Sequence, residues 1–161
     1  MYSLRIQFVM SRQFRQKPLA IRIRFMKYKE FQDFDQFAES IRDVDSDMLL
    51  NNLKQNIWSI FQANLSGIDV QLGRLGSGNI VEGQSWSNGF VIYLPLTPQC
   101  AYSANGTVLD KHSFIIMEPG CDFCISTKDE HNWCSIFSHL DWRNLFPQHR
   151  FARIENYQYY N

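Results

Sequence analysis

The chain has 161 residues, 45% of them hydrophobic and 15% aromatic, which suits one domain with a packed core and excludes global disorder. Its 16 basic and 16 acidic residues balance, which removes any overall electrostatic pull toward nucleic acid or a membrane surface. No apolar run reaches the roughly eighteen residues that a spanning helix needs, so no membrane partner is expected.

Residues 1–28 read as a basic extension, poorly ordered by composition. Arg5, Arg12, Arg15, Lys17, Arg22, Arg24, Lys27 and Lys29 occur there or just beyond with no intervening acid. Such an arm could touch phosphate or anionic lipid, but a charge run more often marks a solvated tail. Met26 is an alternative start to Met1. The N-terminal stretch lacks a clean apolar segment, so no secretory signal is expected. With that, Cys100, Cys121, Cys124 and Cys134 read as reduced thiols of a cytoplasmic protein.

The first predicted element is a helix over 34–42. Asp33 can accept from the free N–H groups of its first turn, and Gln36 completes a capping pair. Phe34, Phe37 and Ile41 share one face. Asp45-Ser46-Asp47 reads as a break. Strands are predicted over 57–65 and 68–73, joined by a tight turn at Ser66-Gly67. Residues 75–79, rich in glycine, read as a further turn before a short strand at 80–84. Phe90–Leu96 suits a strand buried on both faces. Cys100–Ser103 can pair back through Asn105-Gly106. Phe114–Met117, Asp122–Ser126 and Trp133–His139 complete the series, the last two separated by Lys128-Asp129-Glu130. Residues 142–161 form a tail without strong pattern.

Short strands every eight to twelve residues, with turn residues between them, predict an antiparallel barrel or sandwich. The economical reading is a mainly β domain over 29–141, fronted by a short helix.

Several segments carry a family resemblance. Phe31-Gln32-Asp33-Phe34-Asp35 leads into the helix. Leu72-Gly73-Arg74-Leu75, Gly89-Phe90-Val91-Ile92-Tyr93-Leu94-Pro95-Leu96 and Phe114-Ile115-Ile116-Met117-Glu118-Pro119-Gly120 follow. Over roughly residues 31–140 this resembles the N-terminal, cupin-like half of AraC/XylS-type transcription regulators. The resemblance implies a cupin-like β domain that senses a small effector, dimerises, or does both. It also implies DNA reading by a separate helix-turn-helix domain, which nothing after residue 141 supplies. DNA contact is therefore expected only through a missing C-terminal domain or a partner.

Cys121, Cys124, His131 and Cys134 are suitable donors for tetrahedral zinc. On extended strands, however, residues three apart face opposite ways. The four histidines include no H-x-H pair, so a cupin-type metal triad has no support. No G-x-S-x-G elbow or phosphate loop is present. The expectation is a non-enzyme without a cofactor, the alternative a small metal-binding cupin protein or enzyme. Candidate pocket residues are Trp58, Val70, Leu72, Arg74, Trp86, Phe90, Ile92, Tyr93, Phe114, Ile116, His131 and Trp133. They suit a small apolar or aromatic effector, or simply fill the core. A homodimer is compatible with this reading.

Overall fold

The structure, a computed structural model, describes residues 23–109 and 112–139 and the backbone of 157–160. It begins with strand β1 (Ile23–Phe31), followed by helix α1 (Phe34–Ala38). Asp33 caps α1 by accepting from the Gln36 N–H at 3.0 Å. The helix is shorter than the sequence predicts and ends at Glu39. Its Phe37 is fully buried and meets the Phe31 ring edge-on at 5.7 Å.

Two long strands, β2 (Val44–Leu65) and β3 (Ile68–Ser85), form a hairpin that organises the rest. Ser66 and Gly67 turn it, with φ of 56° and 93°. Paired positive φ values are what a two-residue turn between twisted strands demands, and glycine meets them without strain. Asn64 Oδ1 accepts from the Gly67 N–H at 3.2 Å and holds the turn closed.

The remaining strands are β4 (Phe90–Pro95), β5 (Tyr102–Ala104), β6 (Thr107–Leu109), β7 (Phe114–Met117), β8 (Asp122–Thr127), β9 (His131–Ser138) and β10 (Tyr157–Tyr160). They join β3 in the order β10-β7-β4-β9-β3-β8-β5-β6, with β2 on the other edge of β3 and β1 outside β2. Every ladder is antiparallel, and the sheet curls into a nearly closed barrel. No helix among the described residues is long and apolar enough to cross a membrane.

β8 and β9 lie end to end along one edge of β3. Thr127 faces Asn79 and His131 faces Leu75, so residues 128–130 stand opposite 76–78 and the register is unbroken. On the other edge, Leu53 faces Ser77 and Trp58 faces Leu75, so Lys54–Ile57 bulge out opposite Gly76. The bulge clasps the β8–β9 link. Lys54 Nζ pairs with Asp129 at 2.5 Å, and Gln55 donates to Glu130 at 3.2 Å. Asn51 and Asn52 donate to the carbonyls of Thr127 and Lys128, both at 3.3 Å.

Four further features differ from the sequence reading. Residues 75–79 form no turn but carry β3 across the barrel corner. Their glycines serve close approach instead: a Cβ on Gly76 would strike the Gln55 carbonyl, and one on Gly78 the backbone of Lys128. Asp45-Ser46-Asp47 lies inside β2, where pairing with Glu82, Gly83 and Gln84 outweighs the turn preference of these residues. β1 starts at Ile23, within the stretch assigned to the basic extension; residues 1–22 of that extension lie outside the described residues. In the stretch read as a tail, Tyr157–Tyr160 pair with β7, and 142–156 lie outside the described residues.

Pairing fixes which side chains point inward. One interior row runs Gln62, Gln71, Ser135, Tyr93 and Ile115 across β2, β3, β9, β4 and β7. The outer rows include Tyr28, Phe61, Leu72, Cys134 and Leu94, then Met26, Ala63, Val70, Ile136, Ile92 and Ile116. Both faces are therefore apolar. The main core lies inside the barrel, and a smaller cluster of Phe90 and Ile116, flanked by Ile92 and Phe114, lies on the outer side.

Candidate functional site

The interior row borders a cavity of about 50 Å³. Val44 and Met48 come from β2, Val81 from β3, Val91 from β4, Met117 from β7, and Phe123 and Ile125 from β8. Tyr93 and Trp133 stack at its wall with centroids 6.0 Å apart and planes inclined by 22°. Ile41 and four polar residues, Arg42, Asn79, His131 and Ser135, complete the lining. An apolar chamber with a few convergent polar groups is the usual architecture of a small-molecule site.

At one end, His131 is buried and fixed. Its Nδ1 lies 3.0 Å from the Asp129 carbonyl and 3.3 Å from Thr127 Oγ1, and its ring meets Tyr102 edge-on at 5.5 Å. Burial pushes its pKa below the ordinary value, against the opposing pull of the Asp129 and Ser77 backbone. The imidazole is thus neutral at pH 7. Thr127 Oγ1 donates to Asn79 Oδ1 at 2.8 Å and accepts from the Asn79 N–H at 3.0 Å, which orients the amide. Burial also drives the Tyr93 phenol well above its ordinary pKa, so it stays protonated.

At the other end, a polar cluster anchors the segment after α1. Gln71 is 2% exposed. Its amide accepts from the Arg42 N–H at 3.0 Å and donates to the Arg42 carbonyl at 2.9 Å. It also reaches Asp43 Oδ2 at 3.2 Å and Ser135 Oγ at 3.3 Å. Gln62 donates to Gln71 at 2.9 Å and to the Ser40 carbonyl at 2.8 Å. Asp43, with φ of 70°, is buried here. Burial, then the nearby Asp69 charge, raise its pKa to about 6, while Arg42 and His139 oppose the rise. Arg42 is thereby held by its backbone at the cavity rim. Its exposed guanidinium lies over the Phe25 ring at 5.4 Å.

Of the residues proposed from sequence, Tyr93, His131 and Trp133 line the cavity. Trp58 belongs to the interior core, against Phe34 at 5.8 Å, without bordering the cavity. Val70, Leu72 and Ile92 point outward with Ile116, and Leu72 is 40% exposed. Phe90 and Phe114 join the outer cluster. Arg74 lines a separate polar recess with Gln55, Thr97 and Glu130. Trp86 lies largely exposed against Phe137, at 5.8 Å. Sequence reasoning missed Arg42, Met48, Asn79 and Ser135 as lining residues. Alternation could have found most of them, because Asn79 shares the inward parity of Gln71, Gly73 and Leu75 along β3.

The proposed zinc donors do not converge. Cys121 contacts Ser85 Oγ at 3.6 Å, Cys124 contacts Glu82 at 3.5 Å, and Cys134 sits in an outer row while His131 points inward. Among the described residues no group of three or more His, Cys, Asp or Glu side chains is placed to hold a metal ion.

No family model matches the chain, and no curated protein matches it. One solved structure is similar in part, a glyoxylate-induced protein from Pseudomonas aeruginosa, at 13% identity and a TM-score of 0.32. The likeness covers 65% of this chain and 49% of that one, so it spans about half of that protein's length.

Proposed function

We propose that this barrel is a non-catalytic, ligand-sensing and dimerising regulatory domain of the AraC-like type, working in the cytoplasm. DNA contact would be made by another domain or a partner. The observation that carries the reading is the interior chamber with Tyr93, Trp133, Asn79, His131 and Arg42 on its wall. The loose resemblance of residues 31–140 to regulator sensor domains supports it.

The chamber's chemistry defines the effector. At about 50 Å³ the chamber is well below the roughly 300–1,000 Å³ of an ordinary ligand pocket, so an effector enters only if Met48 and Met117 yield. Methionine is the apolar side chain best able to do so. A planar apolar body suits the Tyr93–Trp133 wall. An anionic group suits the Arg42 rim, since guanidinium binds carboxylate in a two-pronged geometry.

The test is a thermal-shift screen of small aliphatic and aromatic carboxylates against their neutral amides. A ligand that prefers the folded state must raise Tm. Val81→Phe should fill the chamber and abolish the response. Arg42→Ala should weaken carboxylates more than amides. Failure of every small acid and amide to shift Tm or quench tryptophan emission would sink the reading.

A further inference from the structure

A second hollow, of about 210 Å³, lies beside the bulge of β2. It is separate from the interior chamber, although His131, 3% exposed, borders both. Arg74 of β3 and Glu130 of the β8–β9 link stand on its walls, and both are exposed. Among the described residues the Arg74 guanidinium has no ion-pair or hydrogen-bond partner. Its neighbours are engaged elsewhere. Asn132 faces Arg74 across the β3–β9 ladder. Its N–H and its amide donate to Thr97 Oγ1 at 2.8 and 3.5 Å. Its carbonyl accepts from the Leu96 N–H at 2.9 Å and from the Tyr102 hydroxyl at 2.7 Å. Gln55 donates to Glu130 Oε2 at 3.2 Å, and Oε1 stays open. Lys54, close enough for the Glu130 charge to act on it, is paired with Asp129. The walls are fixed, and two opposite charges between them are not neutralised.

We infer that this recess binds the zwitterion of a small α-amino acid, with its carboxylate on Arg74 and its ammonium on Glu130. Guanidinium grips a carboxylate through two parallel N–H···O bonds and stays charged at any working pH. Glu130 comes two residues before Asn132, so it is the diagonal neighbour of Arg74, and side chains of this length reach into one space. Charge selects the class of ligand. A simple acid meets Glu130 and a simple amine meets Arg74, so each is repelled by one wall. A molecule bearing both groups on one carbon gains at both. The volume lies below the roughly 300–1,000 Å³ of drug-sized pockets, which restricts the ligand to a few heavy atoms. This inference does not depend on whether the interior chamber takes a ligand.

The test is isothermal titration of the full chain with glycine, L-alanine and L-serine. Acetate, methylamine, glycinamide and N-acetylglycine are controls that each carry one of the two charges. The amino acids should bind, and the controls should bind roughly tenfold or more weakly, because each lacks one charge-assisted contact. Arg74→Gln and Glu130→Gln, checked for folding by circular dichroism, should each weaken amino-acid binding by a similar factor. Absence of binding by all three amino acids overturns the inference. So does binding indifferent to both substitutions, or acetate or methylamine matching glycine. Binding abolished by Val81→Phe yet retained in Arg74→Gln would place the amino acid in the chamber and overturn it too.

Discussion

Trp133 occupies the space that a Cβ on Gly73 would need. The two residues face each other across the β3–β9 ladder, and the indole ring lies over the glycine while its other side stacks on Tyr93. The cavity wall is therefore set by a missing side chain. Gly73→Ala should displace Trp133, at a cost of roughly 1–3 kcal/mol typical of overpacking. A lower Tm together with a changed tryptophan emission maximum would be the expected result. Unchanged emission would mean that the indole is not seated there.

Asp43 makes stability depend on pH in a defined direction. Its pKa is raised on folding from 3.8 to about 6, chiefly by burial. Between those values the folded state binds more protons than the unfolded one. Its contribution is thus complete below about pH 4 and lost as pH rises through about 6, amounting to at most ~3 kcal/mol. Asp43→Asn keeps an oxygen for Gln71 and tolerates the left-handed backbone, so it should flatten that part of the profile. Urea midpoints from pH 4 to 7.5 for both proteins test this, and parallel curves would contradict it.

Gln71 joins the backbone of the Arg42 rim to β3 and β9. Gln71→Leu would leave the Arg42 N–H and carbonyl without their side-chain partner and strip Gln62 of an acceptor. A loss of roughly 2–4 kcal/mol is expected for such a buried network. If ligand binding is governed by the rim, affinity for carboxylates should fall further than stability alone explains. Chemical denaturation and binding titration on the same variant separate the two effects.

The thiols should be slow to react. Burial raises the pKa of Cys100, Cys121, Cys124 and Cys134, and Glu82 adds to the rise at Cys124. Little thiolate is then present at neutral pH. Cys124 is the only one of the four not buried and should react first with a chromogenic disulfide, the others only on unfolding. A rapid initial release of more than one equivalent would be inconsistent with this arrangement.

Strand spacing made the barrel legible in the sequence, and Asp33 and Ser66-Gly67 marked a helix start and a hairpin that the structure contains. The direction in which side chains point was harder to read. On β3 the polar Gln71 faces inward while Val70 and Leu72 face out, because the sheet buries apolar groups on both sides. A rule that sends hydrophobic residues to the interior therefore selects the wrong parity. The same applies to Phe90, Ile92, Phe114 and Ile116, which flank Val91, Tyr93, Ile115 and Met117. Long-range pairing also overrides local chemistry at 45–47 and 75–79, where residues typical of turns run straight through strands.

The unbroken phase of β8 and β9 along β3 makes the three residues at 128–130 a frame-setter for the chamber. A strand shifted by one position exchanges its two faces. A residue inserted or deleted there, unless it bulges out as Lys54–Ile57 do on β2, would turn His131, Trp133 and Ser135 to the outer face and carry Asn132, Cys134 and Ile136 within.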